Sequence, residues 1–367
     1  MEIKEFTIAD LKKAIILDNL WDTEIVPISK QRAISQVNNP RAAEDDIVLL
    51  VGYEDNRVIG YLGILPDTII IDNKKHKIGW FSGWWVEPAQ MNTGIGVLLL
   101  FKALHHYNQS IAVLGLSDSA KKVYEASRKF ITIKKLEVMI ILFRLSSSYF
   151  LPRKIPKLKK FLQTLKFLDF VVNSIMNFRL FIWKRINNIH KNIKFEYINE
   201  IDEETKQFVA KYNKDELTRR SSVELNWIIK YPWILSSPLK DKISSGYYFS
   251  SESERYLYMN VKVFSSNDEM IGFIMFKLRD HHLEVPYLYY CSKHIKQILY
   301  VIGYHMIEMN VSIFMTHNED LIRNFADIKF PYLYKRKTPS PSFISRRFKG
   351  INFENYHLQD GDGDRVF

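Results

Sequence analysis

Cysteine is almost missing from this 367-residue chain, where Cys291 stands alone. One thiol cannot close a disulfide within the chain, and it excludes a zinc site built from cysteines. Cytoplasmic residence is the expectation for such a composition. The opening residues, Met1-Glu2-Ile3-Lys4-Glu5, lack the apolar core of a signal peptide. A long hydrophobic run is missing too: Phe167 to Trp183 is the most apolar stretch, and Asp169, Asn173, Asn177 and Arg179 interrupt it. It is too short and too polar to span a bilayer. His281, His282 and Glu284 lack a partnering ligand set, and Asp360-Gly361-Asp362-Gly363-Asp364 lacks the rest of a calcium loop. No metal is expected.

What is present is ample apolar material. Hydrophobic residues make up 47% and aromatics 14% of the chain, which excludes wholesale disorder. The length exceeds one typical core and implies two domains. The net charge of +11 is unevenly spread. Between Leu151 and Lys194 stand eleven lysines and arginines against Asp169 alone. Leu158, Phe161, Leu162, Leu165 and Leu168 recur there at helical spacing. Such a helix can serve as a solvated linker, the reading preferred for its structure. Its charge can also hold an anionic membrane surface peripherally, through 151–194, or attract an acidic acceptor. No helix-turn-helix, finger or stacking motif accompanies the charge, so nucleic acid is not an expected partner.

One stretch organises the first half. Trp84-Trp85-Val86 ends an apolar run, Glu87-Pro88-Ala89-Gln90-Met91-Asn92-Thr93 makes a polar loop, and Gly94-Ile95-Gly96 opens an apolar helix. A helix start offers unpaired N–H groups and a partial positive charge, which suit a phosphate. Glycines there let a diphosphate approach the backbone, although most such pairs are merely tight turns. Around this stretch the pattern predicts a strand from Ile3 and helices after Thr7 and Ser29. It predicts a hairpin of 46–53 with 58–65, a strand over 77–86, and a helix over 97–107. A strand at 111–116, a helix over 119–128 and a strand over 136–143 closing the sheet complete the order. A hairpin feeding a strand–helix–strand unit is an α+β arrangement.

These residues resemble the GNAT superfamily of N-acetyltransferases. Val86-x-Pro88 followed by Gly94-Ile95-Gly96 looks like that family's acyl-CoA pyrophosphate loop, R/Q-x-x-G-x-G/A. Val113-Leu114-Gly115-Leu116 with Ala120-x-x-x-Tyr124 resembles its strand and tyrosine helix, and the hairpin precedes both in the right order. The resemblance implies acetyl-CoA or another acyl-CoA as co-substrate. It implies contacts from Trp84, Trp85 and Val86 to the pantetheine arm, and from Met91, Asn92, Thr93, Gly94, Ile95, Gly96 and Ser119 to the rest of the cofactor. Met91 stands where the family has Arg or Gln, which leaves the diphosphate to backbone N–H groups, and Ser117 stands where it often has Asn.

Acyl transfer to an amine requires deprotonation of the amine, polarisation of the thioester and protonation of the leaving thiolate. By the resemblance Tyr124 protonates the sulfur; its ring can equally be core packing. Glu87 is the carboxylate nearest the loop and the candidate base, or else a solvated strand end. Ser82 can hold a water or cap a neighbour, and Trp80, Trp84 and Trp85 can wall an acceptor pocket or fill a core.

From Ile193 the element order repeats without a Gly-x-Gly, since Tyr290-Cys291-Ser292-Lys293-His294 stands in its place. Two patches, Arg220-Ser221-Ser222-x-x-Leu225-Asn226-Trp227 and Gln359-Asp360-Gly361-Asp362-Gly363-Asp364-x-x-Phe367, resemble tandem GNAT-like proteins of bacterial surface-polysaccharide loci. The expected fold is therefore α+β. It has two GNAT-like mixed-sheet domains in tandem: 1–147 for acyl-CoA, 148–192 as a basic helical connector, and 193–367 as a degenerate second copy shaping the acceptor site. The expected function is acyl-CoA-dependent N-acylation of a small or carrier-linked amine, an amino sugar of surface-polysaccharide synthesis. Rival readings are tRNA-dependent aminoacyl transfer of the cell-wall type and non-catalytic acyl-CoA binding.

Overall fold

The computed structural model describes residues 1–187, 193–237 and 246–367. Residues 188–192, the end of the basic stretch, lie outside them. In chain order the elements are β1 (Glu2–Thr7), α1 (Ile8–Leu17), α2 (Lys30–Val37), β2 (Ile47–Glu54), β3 (Arg57–Ile71) and β4 (Lys74–Val86). There follow α3 (Ile95–His106), β5 (Ile111–Leu114), α4 (Asp118–Ser127), β6 (Phe130–Thr132), β7 (Leu136–Leu142), α5 (Ser147–Lys154) and α6 (Leu162–Asn187). The second half runs β8 (Ile193–Ile198), α7 (Glu203–Tyr212), α8 (Ser222–Lys230), β9 (Leu235–Ser236), β10 (Glu252–Ser253), β11 (Tyr256–Ser265) and β12 (Met270–Arg279). It ends with β13 (His282–Tyr290), α9 (Ile295–Glu308), β14 (Ile313–Thr316), α10 (Glu319–Asn324), β15 (Tyr334–Ser340) and β16 (Ser342–Ser345).

The fold is α+β, with two mixed sheets of seven strands each, in two compact units. Unit 1 gathers Met1–Leu136, Asn199–Tyr256 and Pro339–Phe367, and unit 2 gathers Glu137–Ile198 and Leu257–Thr338. The sheet of unit 1 runs β1-β2-β3-β4-β5-β16-β6, antiparallel except for the parallel pair β4–β5. Its local causes are plain. Thr7 and Asp10 form a capping box on α1, and the Ser29 hydroxyl caps α2. Asp55-Asn56 and Asp72-Asn73 take left-handed backbone at both positions, the geometry of tight hairpin turns, and so join β2 to β3 and β3 to β4.

The sheet of unit 2 runs β15-β7-β14-β13-β12-β11-β8 with β13 parallel to β14. Here one expectation is corrected. β7, expected to close the first sheet, lies in the second, with Met139 opposite Thr316 and Ile141 opposite Phe314. The place beside β5 belongs to β16, with Phe343 opposite Val113. Alternation of apolar residues in a strand says which side is buried, not which of two sheets it joins.

The core of unit 2 includes Met139, Ile141, Phe143, Phe276 and Phe314, and α6 contributes Met176, Leu180 and Trp183 to it. His305 of α9 is buried there, its ring nitrogens within hydrogen-bond distance of the Val301 carbonyl at 2.7 Å and the Tyr197 hydroxyl at 3.1 Å. Burial lowers its pKa to about 4. The unfolded chain, with an ordinary histidine, binds that proton more readily, so stability falls as pH drops from about 6.5 to 4. His305→Gln is expected to flatten the part of the acid-melting curve that lies in that window. An unchanged curve would show that His305 takes no part.

Candidate active site

The site of unit 1 begins with a strand that loses a neighbour. β4 pairs with β3 as far as Val86, but it pairs with β5 only at Gly79–Ile111 and Trp80–Ala112. Among the described residues the edge of β4 facing β5 makes no ladder beyond Trp80, which leaves backbone groups for a ligand. A bulge accompanies the separation. Ser82 opposes Gly63 and Trp84 opposes Leu62, with Gly83 left over at φ +69°. A Cβ on Gly83 would stand 2.7 Å from Arg32 Nη1, so both conformation and space require glycine.

The expected phosphate loop follows at the end of β4. Gly94 caps α3 at φ +84°, no side chain caps the helix, and beyond its own chain neighbours nothing lies within 4 Å of where a Gly94 Cβ would be. The first turn of α3 thus has neither a capping side chain nor an acidic residue to occupy its N–H groups. Gly96 allows close packing on the strand, for its Cβ would stand 3.2 Å from Val86 and 3.3 Å from the Trp84 ring. An uncapped helix start with the positive end of the helix dipole fits a diphosphate. Met91 and Thr93 are exposed at the loop tip with Asn92, whereas Gln90 Nε2 is held by Glu54 at 2.8 Å. Ser119 lies exposed in the first turn of α4, 3.0 Å from its cap Ser117.

Tyr124 is buried, 2% exposed, and its ring packs on Trp84, Phe81 and Phe130 at 5.5, 6.1 and 5.0 Å. Burial, and then the charge of Asp364, push its phenol well up, so it stays protonated. The indole N–H of Trp84 is buried and has no partner among the described residues. Trp85 faces the other way and stacks on Tyr61 at 5.3 Å. Glu87 is paired with Arg57.

The residue that the loop pattern did not disclose is Asp364. The Ser82 hydroxyl donates to its Oδ2 at 2.7 Å. Burial pushes the Asp364 carboxyl up, against the pull of Ser82, Arg32 and Arg365. Its segment lies across the gap: a Cβ on Gly363 would stand 3.2 Å from the Trp80 ring and 3.5 Å from Leu114, the last residue of β5. Arg32 braces the bulge, donating to the Ser82 carbonyl at 2.8 Å and the Tyr247 hydroxyl at 2.9 Å, with its guanidinium over Trp233. Trp233 in turn stacks on Phe367 at 4.1 Å. A buried carboxyl held by a strand hydroxyl, and a buried phenol that feels its charge, thus lie where β4 and β5 part.

Both unassigned sequence patches build this unit. Arg220 donates to Asp67 at 2.7 Å, and Asp67 also takes Arg41 and the Trp80 indole at 2.8 Å each. Trp227 donates to the Ser35 carbonyl at 2.8 Å, and Asp362 accepts from Thr218 at 2.7 Å.

Residues 15–130, which span the hairpin, the loop and the helix of Tyr124, match the acetyltransferase (GNAT) family. No curated protein matches the chain in sequence. Among solved structures, a conserved protein of unknown function from Enterococcus faecalis, described as a probable N-acyltransferase, shares the fold with a TM-score of 0.51. The two are 9% identical over 96% of this chain and 73% of that one. A GCN5-related N-acetyltransferase from Anabaena variabilis matches with a TM-score of 0.50 and 10% identity, over 94% of this chain and 72% of its own. Among the described residues no helix is long and apolar enough to cross a membrane. The match to the acetyltransferase (GNAT) family thus spans residues 15–130, and the fold of the chain is shared with structures of the N-acyltransferase kind.

Proposed function

We propose that unit 1 transfers an acyl group, acetyl in the first instance, from acyl-CoA to the amino group of an amino sugar. The observation that carries the reading is Asp364, held by Ser82 at the parting of β4 and β5 and close enough to Tyr124 to raise its phenol. Asp364 takes the proton of the attacking amine. As the C–N bond forms and the C–S bond breaks, Tyr124 gives its proton to the leaving sulfur. The two protons then re-equilibrate with solvent. The free edge of β4 orients the pantetheine arm and carbonyl, and the start of α3 holds the diphosphate.

The amino-sugar acceptor rests on the resemblance of the Arg220 and Asp364 patches to proteins of surface-polysaccharide loci, with one supporting feature. Beside Gly83 stand Tyr247, which like Trp85 stacks on Tyr61, and Phe249, which meets Tyr61 edge-on, and Tyr248 is 70% exposed. Flat aromatic faces suit the apolar side of a sugar ring. Free-thiol release should be measured with acetyl-CoA and nucleotide-linked amino sugars, against simple amines and peptides. Turnover confined to peptides would overturn the acceptor class, and no turnover with any amine would overturn the transfer. Gly94→Val is expected to raise KM for acetyl-CoA about tenfold with little change in kcat, because it strains the loop and leaves the reacting groups in place.

A further inference from the structure

We propose that unit 2 docks on an anionic lipid surface through the outer face of α6, with a lipid phosphate seated among Arg179, Lys296 and Lys329. The inner face of α6 carries Met176, Leu180 and Trp183 into the core. Its opposite face is also apolar: Phe167, Phe170, Ile175, Phe178, Phe181 and Ile186 each expose more than half of their surface. A solvated linker would put polar residues there, and exposed apolar faces of this kind mark binding surfaces.

The charge around that face selects the occupant. Lys157, Lys159, Lys160 and Lys166 are exposed and make no ion pair among the described residues. The acid of this segment, Asp169, is turned inward, where it accepts from the N–H groups of Ser147 and Ser148 at 2.9 and 2.8 Å. It does not offset the surface cations. Beside the helix lies a cavity of about 500 Å³ with Arg179, Lys296 and Lys329 on its wall, Ile182, Ile186 and Tyr300 beneath them, and Asp327 as the one carboxylate. Tyr332 and Leu333 follow on the adjoining loop and Tyr334 opens β15, all three exposed, with Lys335 next in the strand.

An apolar stripe flanked by cations and tyrosines is the pattern of a helix lying in the headgroup region. Pairing of this face with a second copy would bring the same cations together. Since no described helix can cross a membrane, α6 lies on the surface and does not span it.

The full chain should be sedimented with vesicles of phosphatidylglycerol and phosphatidylcholine, and with phosphatidylcholine alone. Expected is binding at least about tenfold tighter to the anionic vesicles, weakened by salt. The double variant Phe170→Asp/Phe178→Asp is expected to lose it. Arg179→Glu/Lys329→Glu is expected to lose the preference for anionic lipid. The altered side chains lie at the surface, and an unchanged thermal melt checks that the variants fold. Absence of binding to anionic vesicles, or equal binding to neutral ones, would overturn the proposal. So would light scattering that finds a dimer which Phe178→Asp splits, since the face then belongs to a second copy. None of these readouts requires substrate turnover.

Discussion

Asp364→Asn is expected to lower kcat of acyl transfer about 10²- to 10⁴-fold, the range for loss of a positioned general base, while acyl-CoA binding persists. The carboxyl lies beside Tyr124 and Ser82, not on the helix start that holds the diphosphate. Its pH signature separates this role from a structural one. Burial raises the Asp364 carboxyl above the ordinary carboxylate value of 3.8, and the base must be ionised to act. The acid limb of kcat/KM should therefore fall above that value and vanish in Asp364→Asn. The Ser82 hydroxyl lowers the same group. Ser82→Ala should accordingly move the acid limb to higher pH, with a loss of rate smaller than that of Asp364→Asn. Tyr124→Phe should lower kcat with the acid limb unmoved. An acid limb unaffected by Asp364→Asn would assign the base elsewhere, to Glu87 or a bound water.

The second large effect is on stability. Arg220→Ala is expected to cost unit 1 about 3 kcal/mol, because it leaves the buried Asp67 carboxylate with Arg41 as its remaining guanidinium partner. Burial alone would raise Asp67, yet Arg220 and Arg41 outweigh it and hold the carboxyl below its ordinary range. Asp67 also anchors the Trp80 indole, at the last rung where β4 still pairs with β5. A fall in Tm of about 6–12 °C should result. Arg220→Lys should recover part of it, since an ammonium cannot reproduce the paired donors of the guanidinium. A melt within a degree of the parent would mean that Asp67 finds full compensation without Arg220.

The first sheet was legible because its signals are local. Asp-Asn turns, the Thr7 and Ser29 caps and the Gly-x-Gly helix start each lie within a few residues of the element they shape. The α+β class and the phosphate-suited loop could be read from those alone. Asp364 could not, for it follows Ser82 by 282 residues and no periodicity links them. The repeated Asp-Gly pattern is a visible signal, but with no calcium loop around it nothing local gives it a role. β7 and β16 illustrate the same limit, since short buried strands carry a pattern for burial and none for partner. The start of α6 was visible as apolar residues among lysines, at Leu162, Leu165 and Leu168. Which face of the helix meets the core followed only from the packing of Met176, Leu180 and Trp183.

Calorimetric titration of the full chain with acetyl-CoA tests the central claim most directly. The account predicts saturable binding of one equivalent, weakened in Gly94→Val and retained in Asp364→Asn. Absence of binding at millimolar acetyl-CoA, or binding unaffected at Gly94, would contradict it.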